Sequence, residues 1–112
     1  MQAMILDRSH VLSTEERDML QRRLQFALSR FSAELRSVEA VVLDHDGPRG
    51  GVDKQLRLKA RLRSGATLTV VKRDRSVIAA ASHAASRLAG LVTRTLHRRH
   101  ERTRPKPTPS SP

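Results

Sequence analysis

The side chains with the most evident capacity for chemistry are arginines in the C-terminal third. Wound at 100° per residue, His83, Arg87, Gly90, Arg94, His97 and Arg98 fall together on one flank of a helix. A guanidinium is planar, permanently charged and presents a fork of N–H donors that matches phosphate oxygens. Arginines four to seven residues apart therefore suit a chain of phosphates. Arg75 and Arg99, near the two ends of the segment, complete this candidate set. A merely solvated face usually mixes signs. Here Glu101 is the only acid after Asp74, which favours a phosphate-binding reading. Gly90 within the flank would let a phosphate backbone approach closely, although a helix also tolerates such a glycine at a cost of about 1 kcal/mol.

Other groupings are weaker. Arg57, Lys59, Arg61 and Arg63 alternate with apolar residues and form a basic stripe on one face of a strand. Lys59 and Arg61 are secondary phosphate candidates, though basic side chains on a sheet also serve solubility and discourage edge pairing. Met19, Arg23, Phe26 and Arg30 share the helix face opposite the core. An exposed Phe26 beside arginines could rest on a ribose or a base, or pack under a neighbouring loop. His97-x-x-His100 lacks a cysteine or carboxylate pair to complete a metal site, and Asp44-His45-Asp46, just before Gly47-Pro48, reads as turn chemistry. No Ser-His-Asp spacing, phosphate-binding glycine loop or HExxH occurs, so no catalytic residue, metal or cofactor is expected. A ribonuclease built on His10, His45 or His83 has only composition behind it.

These residues belong to a chain of 112, long enough for one domain with a modest core. Lysine and arginine number 22 against 11 acids, a net charge of +11. Residues 1–35 are neutral, residues 36–71 carry +3 and residues 72–112 carry +8, so the excess is localised as a polyanion-binding footprint would be. There is no cysteine, which excludes disulfides and thiol chemistry and fits a reducing cytoplasm. The longest apolar runs fall far short of the ~18 residues of a membrane span, and the N-terminus lacks signal-peptide character. Two phenylalanines are the only aromatics, so phosphate contacts should outweigh base stacking.

The elements that must position the arginines follow from periodicity and caps. Residues 1–6 suit a short strand. Ser13-Thr14-Glu15-Glu16 has the capping-box spacing, and Leu20, Leu24, Ala27, Leu28 and Phe31 form the core face of a helix over about 14–32. Residues 37–44 form a strand with Val38, Ala40 and Val42 inward, and residues 55–63 form another with Leu56, Leu58, Ala60 and Leu62 inward. A three-residue hairpin loop at Ser64-Gly65-Ala66 would place Leu62 opposite Leu68 and Ala60 opposite Val70. The last helix should begin at Asp74 or Ser76 and run to about Arg99, burying Val77, Ala81, Ala84, Ala85, Leu88, Leu91, Val92 and Thr95. The predicted fold is α+β, two layers in the order β-α-β-β-β-α, with both helices on one face of a four-stranded sheet whose other face is solvated and basic. Residues 1–102 are expected to form the domain, and the proline-rich residues 103–112 a disordered tail.

Residues 1–100 resemble the short ribosome hibernation-promoting factors, also called ribosome-associated inhibitors or ribosomal subunit interface proteins. Met1-Gln2 and Ile5 are similar to their first strand, Thr14-Glu15 to their first helix start, and Val38 to Leu43 to their Val-rich second strand. The segment Ser76-Val77-Ile78-Ala79-Ala80, continuing to Arg87-Leu88-Ala89 and Arg94, resembles the capped, apolar, Ala-Ala opening and later basic-Leu pair of their last helix. Ile78 stands where they commonly have Tyr, and Ser76 where they commonly have Asp. The resemblance implies a cytoplasmic, non-enzymatic inhibitor of translation under stress. It would bind rRNA in the mRNA/tRNA channel of the small ribosomal subunit, be a monomer off the ribosome, and involve no membrane or small-molecule substrate. Longer members add a dimerisation domain, whereas the proline-rich tail here resembles the short class. The helix-strand-strand-strand-helix core also resembles the double-stranded RNA-binding domain. That family concentrates lysines at the start of its last helix, where this chain has Arg73-Asp74-Arg75.

Overall fold

A computed structural model describes residues 2–8, 10, 12–44 and 54–103, with side chains described as far as Arg98. The chain forms β1 (Gln2–Asp7), α1 (Thr14–Leu28), a 3-10 turn (Ser29–Phe31), β2 (Leu35–Asp44), β3 (Lys54–Leu62), β4 (Thr67–Asp74) and α2 (Val77–Thr103). The sheet order is β1-β2-β3-β4. β2, β3 and β4 form an antiparallel meander, whereas β1 lies parallel to β2 because α1 carries the chain back between them. This is the α+β architecture that the sequence predicts.

α1 starts where its capping box places it. The Glu16 amide donates to Ser13 Oγ at 3.1 Å, and the Ser13 amide donates to Glu16 Oε1 at 3.0 Å. Leu20, Leu24 and Leu28 recur every four residues and are wholly buried. The α-helix ends at Leu28 and tightens into the 3-10 turn, whose Phe31 is buried, so the helix expected over 14–32 is α-helical only to Leu28 and stops at Phe31. On the inner sheet face Val38, Ala40, Val42, Leu56, Leu58, Ala60 and Val70 meet Val77, Ala81, Ala84 and Leu88 of α2 in one core with the α1 leucines. Alanines on α2 let the helix lie close to the sheet, while each buried leucine contributes roughly 1.5–3 kcal/mol.

Two expectations need correction. Ala60 pairs with Leu68 and Leu58 with Val70, a slip of two from the predicted register. The loop does hold three residues, but they are Arg63-Ser64-Gly65. The Gly65 amide donates to the Leu62 carbonyl at 2.9 Å, and the Leu62 amide to the Ala66 carbonyl at 2.8 Å. Gly65 takes φ +100°, the left-handed position that this loop type demands. A slip of two leaves each side chain on its intended face, so the core is unaffected. The outer face is also less purely basic than expected. Leu6, Val41, Arg57 and Val71 share one row across it, and Val41 is only 2% exposed while Val71 is 49% exposed.

Of the earlier groupings, His45, Asp46 and residues 104–112 lie outside the described residues, as do the side chains of Arg99 and His100. Among the described residues no three His, Asp or Glu side chains gather as a metal site, and no helix is long and apolar enough to cross a membrane.

Candidate nucleic-acid interface

The start of α2 is set by Ser76. The Ala79 amide donates to Ser76 Oγ at 3.2 Å and the Ala80 amide to the Ser76 carbonyl at 3.0 Å. Asp74, the other candidate cap, instead accepts from the Ser76 amide at 3.0 Å and holds the turn leading into the helix. With this start, Val77, Ala81, Ala84, Leu88 and Val92 point into the core. About a quarter-turn away, Arg87, Arg94 and Arg98 are all exposed on one flank, as helical phasing requires.

That flank looks away from α1. The residues of α2 that face α1, Ser82, Ala85 and Ala89, lie on its other side. α2 is also longer than the strand beside it. Its 27 residues span about 40 Å, against about 27 Å for the eight residues of β4. Among the described side chains of α2, Val92 is the last that is fully buried, and Leu96 still packs on the core. Arg98 therefore stands in the part of α2 beyond Val92. There Thr93, Arg94, His97 and Arg98 surround a shallow hollow of about 520 Å³. No acidic residue falls between Asp74 and Glu101, so the field along this flank has one sign.

The remaining candidates are dispersed. Arg75 is exposed in the β4–α2 turn, at the far end of the helix from Arg98. Arg30 lies over the Phe31 ring, 4.6 Å from its centroid, and so packs against its own fold. Lys59 and Arg61 are on the outer face of the sheet, separated from α2 by the sheet itself, and Lys59 is directly opposite Glu39 of β2. The structure thus gathers Arg87, Arg94 and Arg98 and places Lys59 and Arg61 elsewhere.

Arg23 belongs to a second feature. With Met19, Arg22 and Phe26 it forms the α1 wall of a groove of about 630 Å³, and Ser82 and Ser86 are on the α2 wall. Arg23 Nη1 donates to Ser82 Oγ at 2.9 Å across it. Phe26 is 87% exposed, so it is not packed beneath a loop. Arg22, Ser82 and Ser86 are candidates that the structure adds. Helical phasing puts Arg22 beside Phe26, but the two serines become relevant only once α1 and α2 are packed together.

No family model and no curated protein matches this sequence. Solved structures do. The N-terminal domain of Thermus thermophilus Protein Y superposes with a TM-score of 0.66 at 21% identity, covering 85% of this chain and 99% of that one. A ribosomal subunit interface protein from Coxiella burnetii superposes with a TM-score of 0.69 at 11% identity, covering 87% of this chain and 99% of that one. The resemblance drawn from the sequence therefore holds at the level of the fold: this chain is built like the Protein Y N-terminal domain and like a ribosomal subunit interface protein.

Proposed function

We propose that this chain binds the ribosome, entering the mRNA/tRNA channel of the small subunit through rRNA phosphate contacts and so holding translation down under stress. The observation that carries the reading is the one-signed flank of Arg87, Arg94 and Arg98 on a fold shared with a ribosomal subunit interface protein. Residues 1–102 serve as the binding domain of a cytoplasmic, non-enzymatic protein that is monomeric off the ribosome. Arginine rows of this kind neutralise phosphates and release their counterions, which makes binding steeply dependent on salt.

Cosedimentation with ribosomes at low salt tests the proposal. The protein is expected with the small subunit, and an Arg87→Ala/Arg94→Ala/Arg98→Ala variant is expected to bind more weakly with a flatter salt dependence. Protein that stays at the top of the gradient, or that binds a plain RNA duplex as tightly as the ribosome, overturns it.

A further inference from the structure

The groove between α1 and α2 has a composition unlike the arginine flank. Met19, Arg22, Arg23 and Phe26 occupy positions i, i+3, i+4 and i+7 of α1, so an apolar surface and two guanidinium groups form one continuous stripe. The chain has two phenylalanines and no tryptophan or tyrosine. Phe31 is buried under Arg30, which leaves Phe26 as the exposed phenyl ring. At 87% exposure its ring is open to solvent. The hydroxyls of Ser82 and Ser86 stand on the opposite wall, and Arg23 is held toward Ser82 by the 2.9 Å hydrogen bond.

We propose that this groove takes one unpaired RNA nucleotide, its base stacked on Phe26 and its phosphate held by Arg22 and Arg23. The charge of the groove matches a phosphate, its flat apolar ring matches a base, and its serine hydroxyls can meet a base edge. The volume of about 630 Å³ lies within the range of small-ligand sites. Guanidinium groups also stack on bases, so Arg22 and Arg23 add planar surface as well as charge. The two banks of arginine lie on either side of α2, roughly one helix diameter of 10–12 Å apart, and one RNA segment can reach both. The proposal rests on the ribosome reading for the source of that RNA and adds to it a contact that reads an unstacked base.

The absence of tryptophan and tyrosine supplies the test. A Phe26→Trp variant carries a single indole, whose emission a stacked base quenches. Titration with a single-stranded oligoadenylate is expected to quench it to saturation, while inorganic polyphosphate at equal phosphate concentration leaves it unchanged and an RNA duplex has little effect. Phe26→Ala is expected to weaken single-strand binding roughly ten-fold with the salt slope preserved, because no phosphate contact is lost. Circular dichroism checks that the fold of each variant is intact. Equal quenching by polyphosphate, or unchanged affinity in Phe26→Ala, overturns the proposal. A concentration-dependent dimer without RNA that Phe26→Ala abolishes overturns it too, assigning the face to a second copy. Ribosome cosedimentation of the wild-type chain separates the two readings. Binding there without quenching ends the groove proposal alone, and quenching without cosedimentation ends the ribosome reading alone.

Discussion

Arg17 on α1 donates from Nη2 to the main-chain carbonyl of Ile5 on β1 at 2.7 Å. One turn further on, Gln21 Nε2 reaches the Ala3 carbonyl at 3.4 Å. β1 is an edge strand, and such a strand carries a row of unpaired backbone groups open to another chain. The polar side of α1 therefore seals that edge while its leucine side fills the core. Arg17 is thus a basic residue with a structural task, in contrast to the arginines of α2.

Arg17→Met keeps the apolar stem and removes the donor. It is expected to lower stability by about 1 kcal/mol, read as a lower urea midpoint with an unchanged m value, and to increase self-association by sedimentation. A midpoint equal to the wild type would mean that the contact contributes nothing.

The capping box is reciprocal, so its two halves are coupled. Ser13→Ala and Glu16→Ala are each expected to cost about 1 kcal/mol or less, and the double variant less than their sum. Strict additivity in urea titrations would show that the two hydrogen bonds act independently.

A Cβ built on Gly90 meets nothing within 4 Å. Gly90→Ala should therefore gain most of the helix-propensity difference, about 0.8–1 kcal/mol, raising Tm by roughly 4–8 °C. If RNA lies close along this flank, the same variant binds ribosomes more weakly despite its greater stability. A lowered Tm would refute the structural part of this prediction.

Arg94 and Lys59 lie on opposite layers, and Lys59 is opposite Glu39 in the register. Arg94→Ala is expected to reduce the salt slope of ribosome binding by roughly one unit, and Lys59→Ala to leave it unchanged. Equal losses from both would place RNA on the sheet face as well.

Signals that act within about four residues were legible in the sequence alone. They include the Ser13–Glu16 box, the leucines at 20, 24 and 28, the alternation in β3, and the grouping of Arg87, Arg94 and Arg98 on one flank. Each depends on local backbone geometry and periodicity, which the order of residue types specifies. Tertiary structure decided the rest. Period-two patterning is satisfied equally by a hairpin shifted by two residues, so only the left-handed Gly65 and its loop settled the β3–β4 register. Nothing local announced that Val41 would be covered on the outer face. Likewise, Arg23 and Ser82 are 59 residues apart in sequence and meet only because α1 and α2 pack side by side on the sheet. The one-signed flank was written into the helix itself. The groove beside Phe26 was not, because it exists only where two helices that specify their own faces are brought together by a shared core.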